Sequence, residues 1–354
     1  MNLFLAALAF QAPVALTKPD RALTEPFSQI TSVRELRDGR VVVVDVKEKL
    51  VQIADFASGT VKTIGRNGSG PGEYAMPVGL VAMPGERTFV YDPMNQRFLE
   101  LGAEGSVRGL VTFSSLIGLK GIPMMLMPAA DAQGRLYFEG INPAAMGGTD
   151  SVAVLRWTVG RPQLDTVGFV GGMDFGIENK GGKVAFKAMK MFAPQEAWTA
   201  TPTGLLARVT PMPYRIVWYE KGKPIPGPTV PYDPVPVTEA DKEVLRSAFK
   251  QGLAAAGAAA AAMKIPEPEF AATKPPFSGR GAALPAPNGQ IWVARSVRSK
   301  APSEYDRFDG RGRLLGRVTL APDAAVVGFG KQAVYVARKD NDDLMYLERY
   351  RMPN

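Results

Sequence analysis

Four lysines, Lys180, Lys183, Lys187 and Lys190, alternate with Phe186, Met189, Met191 and Phe192 in one short segment. Ammonium groups interleaved with aromatic rings and thioethers form a basic, adaptable surface on which an acidic partner protein can dock. The same alternation also suits an ordinary strand pair whose apolar side turns to a core. A second candidate is acidic. Asp340, Asn341, Asp342 and Asp343 offer oxygen ligands of the type Ca²⁺ takes, but the EF-hand spacing and its turn glycine are missing, so they read as a solvated hairpin turn. The loop from Gly65 to Gly72 is glycine-rich, yet neither a Lys-Ser/Thr pair nor a helix pattern follows, and it matches no phosphate-binding fingerprint.

An absence restricts the chemistry further. The chain holds no histidine and no cysteine. Ser-His and Cys-His triads, His proton shuttles, Cys/His zinc sites, thiolate-held iron–sulfur clusters and His-ligated haem are therefore outside its means. Carboxylate, lysine or tyrosine acid–base chemistry and oxygen-ligated Ca²⁺ or Mg²⁺ remain. The formal net charge of +8 favours acidic partners. Lys and Arg are nevertheless spread along the chain with no block of five, as on a solvated basic surface. No nucleic-acid module or stacking platform is visible, so nucleic acid is not an expected partner.

The elements that must position these groups come as a repeat. The 37 Gly and 30 Pro in 354 residues suit many short strands joined by tight turns. One two-strand unit recurs six times. Its first strand reads RVVVVDV from Arg40, RTFVYDP from Arg87, RLYFEGI from Arg135, GLLARVT from Gly204, QIWVARS from Gln290 and AVYVARK from Ala333. Its second reads KLVQIADF from Lys49, RFLELGAE from Arg97, SVAVLRWT from Ser151, YRIVWYEK from Tyr214, EYDRFDGR from Glu304 and DLMYLERY from Asp343. A further strand follows in several copies, as in GTVKTIG from Gly59 and GRLLGRVTL from Gly312. The expected fold is all-β: a six-bladed β-propeller over residues 17–354, closed by pairing of its N- and C-terminal segments. The sixth copy lacks an outer strand, and the segment from Ala22 to Ile30 is expected to supply it, which removes an exposed edge.

Two stretches interrupt the repeat, residues 171–198 and 238–281. In the second, Thr238 with Asp241 resembles a capping box, and a helix is expected after it. Val244, Leu245, Ala248 and Phe249 are expected to pack one side of that helix onto the propeller rim. Residues 1–16 read as a signal-type or N-terminal apolar segment, too short to span a bilayer and without the usual basic start. An extracytoplasmic protein is the expectation.

The stretch from Gly65 to Gly105 resembles the blade junction of the NHL-repeat family: Gly70, Pro71, Gly72, Glu73 and an aromatic, a proline, a strand, then Asp92, Asn95 and Arg97 around a turn. The resemblance implies bacterial six-bladed propellers and covers most of the chain weakly; the first copy has Asp45 but Lys49 at the Arg position. It also implies that Glu73 bonds backbone between blades. The spacing of Asp92, Asn95 and Arg97 predicts a structural clasp in which Arg97 forks onto Asp92.

Propeller enzymes of the lyase and paraoxonase kinds rely on histidine, which this chain lacks. A gluconolactonase-like metal site needs converging carboxylates and an amide, for which Glu139, Asn142, Asp174 and Glu178 are the candidates. The preferred reading is a non-catalytic, extracytoplasmic interaction or scaffold module with no cofactor. It would dock through Lys180, Lys183, Lys187, Lys190, Phe186, Met189 and Phe192 onto an acidic or membrane-associated protein. An accessory subunit of a membrane-bound electron-transfer or photosynthetic complex fits that description. The alternative is a small-molecule sensor or lactonase-like hydrolase that uses the propeller channel.

Overall fold

The computed structural model describes residues 12–116, 128–140, 151–174, 176–180, 183–255 and 265–353. All twelve strands of the repeated unit form. The first strands are Val41–Asp45, Thr88–Asp92, Arg135–Gly140, Leu206–Pro211, Ile291–Ala294 and Ala333–Lys339. Each pairs antiparallel with the second strand of its unit, from Leu50–Asp55 in the first to Met345–Arg351 in the last. An inner strand precedes every pair: Ile30–Glu35, Gly79–Ala82, Ala129–Ala130, Ala197–Ala200, Ala283–Pro285 and Ala324–Phe329. An outer strand completes each sheet. The chain is a six-bladed β-propeller.

Blade 6 takes its outer strand from the other end of the chain. Arg21–Ala22 lies antiparallel to Met345–Arg351, and the ladder continues through Leu23 to Leu347 and through Phe27 to Met345. Leu23 and Phe27 are buried there, as the missing outer strand of the sixth copy required. A contact not visible in the repeat lies beside it: Val14–Ala15 adds a fifth, parallel strand to the outer edge of blade 5.

Six apolar clusters hold the ring, one between each pair of neighbouring blades, including one that joins blade 6 to blade 1 through Phe27, Val41 and Tyr335. Each sheet is thus covered on both faces. That is why Val41–Asp45 and Thr88–Asp92 are buried at every residue and read as continuous runs rather than alternating ones.

Antiparallel strands send alternate connections to opposite faces of the disk. The connections between strands one and two (36–40, 83–87, 131–134, 201–205, 286–290, 330–332) and between three and four (56–59, 102–106, 159–163, 221–222, 309–313) are all short and leave at one face, here termed the turn face. The links between strands two and three, and from each blade to the next, leave at the other. Both long interruptions of the repeat lie on this second, insertion face.

Candidate functional site

On the insertion face, blades 1 and 2 end their first repeat strand in an aspartate used the same way. The buried Asp92 carboxylate accepts from Ala75 N (3.0 Å), Met76 N (3.1 Å) and Asn95 Nδ2 (2.7 Å). The buried Asp45 accepts from Ser28 N (2.7 Å) and Gln29 N (3.0 Å). Each acid ties down the chain entering its own blade. Arg97 does not fork onto Asp92 as its spacing predicts. It donates instead to the carbonyls of Ser69 (2.9 Å), Gly70 (3.1 Å) and Glu73 (2.9 Å). Asp92 is already occupied by backbone donors, and the planar guanidinium matches the tight turn's converging carbonyls.

Glu73 lies in the link between blades 1 and 2 and bonds backbone there, within its own turn. Its carboxylate accepts from Gly70 N (2.7 Å) and pairs with Arg66 (2.6 Å), two contacts that hold it below the usual carboxylate range. A Cβ on Gly70 would stand 2.9 Å from that carboxylate and would displace it, while Pro71 and Gly72, the latter at φ 78°, carry the chain round.

Over blades 3 to 5 an ion pair takes the place of the aspartate clasp. Glu139, fully buried at the end of Arg135–Gly140, meets Arg280, which reaches in just before the inner strand of blade 5. Arg280 Nη2 donates to Glu139 Oε2 (3.1 Å) and Nε stands 2.7 Å from Oε1. Trp198 Nε1 donates to Oε1 (2.6 Å), and Arg280 also donates to the carbonyls of Glu196 (2.9 Å) and Gly171. One guanidinium therefore joins blades 3, 4 and 5. Beside it, Asp306 is buried between Tyr214 Oη (2.9 Å), Arg295 (2.6 Å) and Arg317 (3.2 Å). Burial, with the Asp306 charge, raises the Tyr214 hydroxyl well above its ordinary value, so it stays a donor.

Above these pairs the two interruptions join into one cap. In the first, Ile177–Lys180 pairs with Lys183–Phe186 as a hairpin, and Lys187 Nζ closes onto Asp174 at 3.1 Å. Lys190–Met191 then runs parallel to Glu269–Phe270 of the second interruption. The second contains α1, Glu239–Ala255, whose start carries the expected reciprocal cap: Thr238 N donates to Asp241 (2.9 Å) and Asp241 N to Thr238 Oγ1 (3.3 Å). The inward stripe is Leu245, Arg246 and Phe249, with Arg246 over the Phe270 ring at 5.2 Å. Val244 and Ala248 point outward instead of packing on the rim, and Val244 is 68% exposed. The helix is rotated from the expected phase, with Asp241 turned inward onto Lys274.

Lys274 is the joint. Its ammonium pairs with Asp241 (2.8 Å), donates to the Val297 carbonyl (2.9 Å) and sits 5.6 Å from the Phe192 ring, so it touches both insertions and blade 5. Burial acts to raise the Asp241 carboxyl, but Lys274 and Thr238 outweigh it and hold it below the usual carboxylate range. A depressed acid stabilises the fold fully above its unfolded value, about pH 4, and loses that contribution as pH falls through the folded value. Protection of the α1 amides, taken relative to intrinsic exchange at each pH, should accordingly be high at neutral pH and fall in acid, and Lys274→Met should lower it at neutral pH. Equal protection in that variant would show the helix is held elsewhere.

Of the seven docking candidates, Lys180 and Lys183 are backbone register partners in the hairpin, Phe186 is 37% exposed and Lys190 is exposed. Met189 gives its carbonyl to Glu269 N (2.9 Å). Lys187 and Phe192 are engaged inside the cap, by Asp174 and Lys274. The proposed channel carboxylates are not brought together: Glu139 is paired in the core, Asp174 is in the cap, Glu178 is on the hairpin, and Asn142 lies outside the described residues. Among the described residues no group of three or more Asp and Glu is placed to hold a metal. Nor is any helix among them long and apolar enough to cross a membrane.

No protein-family model and no curated protein matches the chain. Among solved structures, one described as an exported protein from Bacteroides fragilis is 11% identical, with 97% of this chain and 100% of that one covered and a TM-score of 0.49. A gluconolactonase from Xanthomonas campestris is 13% identical (96% and 98% covered, TM-score 0.47). The calcium-binding regucalcin from Agrobacterium tumefaciens is 12% identical (97% and 98%, TM-score 0.46). At these values the blade count rests on the strand ladders of the chain itself.

Proposed function

We propose that this propeller, of the NHL-related kind, is a non-catalytic extracytoplasmic module that docks a partner protein through the cap, as an accessory subunit of a membrane-bound complex. The observation that carries this reading is the joining of two insertions, neither needed to complete a blade, into one braced surface. Its rim presents Phe186 and Lys190 beside the Lys180–Lys183 pair. Of the carboxylates named for a channel hydrolase, Glu139 and Asp174 are instead engaged by Arg280 and Lys187. An acidic surface on the partner matches these lysines.

Native pull-down with the full chain, followed by identification of the captured protein, tests it. Wild type should retain a partner at low salt that Lys180→Gln/Lys183→Gln/Lys190→Gln loses by at least about tenfold. Lys187 is left in place because Asp174 depends on it. Equal capture by the variant would overturn the reading.

A further inference from the structure

The charge that looks dispersed in sequence is gathered by the fold. On the turn face of blades 4, 5 and 6 stand Lys221, Lys223, Arg311, Lys331 and Arg351, all exposed and, among the described residues, none in an ion pair. Arg313 is there too, paired with Asp309 (2.7 Å). The carboxylates nearby are Glu220, the engaged Asp309, Asp20, which pairs with Arg349, and Glu35, which accepts from Tyr335 Oη and Lys331 N. On the opposite face, blade 6 carries Asp323, Asp340, Asp342 and Asp343 against Lys339, itself bound to Asp343 (2.5 Å). Blade 6 is thus electrically polarised across its thickness.

The shape of the positive side matters as much as its sign. Among the described residues every strand-to-strand connection on the turn face is a short turn, and blades 4 and 5 abut there closely at Gly227 and Gly312. Ile225, 47% exposed, lies on the outer strand beside Lys223. A flat array of cations that spans three blades can meet a planar anionic surface at all its charges together. A convex acidic protein would meet only some of them.

We propose that the turn face of blades 4 to 6 lies against an anionic lipid membrane, held by Lys221, Lys223, Arg311, Lys331 and Arg351, with the insertion face turned outward. The acidic turns of blade 6 then point away from the lipid, which fixes the orientation. The contact is made by this chain itself, on the face opposite the cap, and does not depend on the docking reading above.

Co-sedimentation of the full chain with vesicles tests the proposal. Vesicles of phosphatidylcholine with about a quarter phosphatidylglycerol should capture the protein at low salt, and about 0.5 M salt should release it. Phosphatidylcholine alone should not capture it. Lys221→Ala/Lys223→Ala/Arg311→Ala should weaken capture about 100-fold, at about fivefold per cation, with an unchanged melting temperature because none of the three is paired. Lys47→Ala/Lys49→Ala/Lys300→Ala removes the same net charge from the opposite face and should bind as wild type. Equal weakening in both triples, equal binding to neutral vesicles, or binding to polyglutamate beads without binding to anionic vesicles would each overturn it.

Discussion

Glu139→Gln should destabilise the propeller by about 3–5 kcal/mol in guanidinium unfolding, although the substitution preserves size and shape. The loss comes from what it leaves behind. Arg280 would remain buried with its charge uncompensated, surrounded by the carbonyls of Glu196 and Gly171 and by the Trp198 indole. The corresponding apolar replacement, Glu139→Leu/Arg280→Met, should recover most of the loss, because desolvation of both charges is then avoided. A Glu139→Gln variant within about 0.5 kcal/mol of wild type would show that the pair contributes little to holding blades 3 to 5 together.

The second large effect belongs to the closure. Leu23→Ala and Phe27→Ala each remove a buried side chain from the junction of blades 6 and 1, at about 2–5 kcal/mol apiece. Together they approach the whole stability of a typical domain, about 5–15 kcal/mol. The double variant should also free the edge of Met345–Arg351 and associate through it, a change that sedimentation velocity would detect as concentration-dependent growth. Val14→Ala, in the half-exposed fifth strand of blade 5, should stay within about 0.5 kcal/mol. A monomeric, fully stable double variant would mean that the ring is held without its closing strand.

The propeller was legible because each copy repeats its own local signals: a turn glycine, a buried run such as RVVVVDV, then a second strand. The closure was legible because the sixth copy ends one strand short. The cap was not. Lys190–Met191 and Glu269–Phe270 pair across a whole blade of intervening chain, and no periodicity links them. Arg280 finds Glu139 from 141 residues away, so a carboxylate that looked free for a channel site is engaged by a side chain no local pattern points to. Arg97 shows a subtler limit: its spacing from Asp92 was right for a pair, but the backbone donors that fill Asp92 exist only after the entering chain has folded over it. The basic arc is likewise invisible in sequence, because its residues come from turns of three blades and meet only on the disk.

Blade 6 takes one of its four strands from the far end of the chain, Arg21–Ala22 beside the strands from Ala324 to Arg351. During synthesis, the blades before it can stack one after another while the polypeptide lengthens. The early segment with Leu23 and Phe27 can rest on blade 1 but has no strand partner until Met345–Arg351 has been made. Throughout that interval the growing protein is an open arc with a sticky edge at its start, and whatever shields that edge governs how much of it reaches the finished ring.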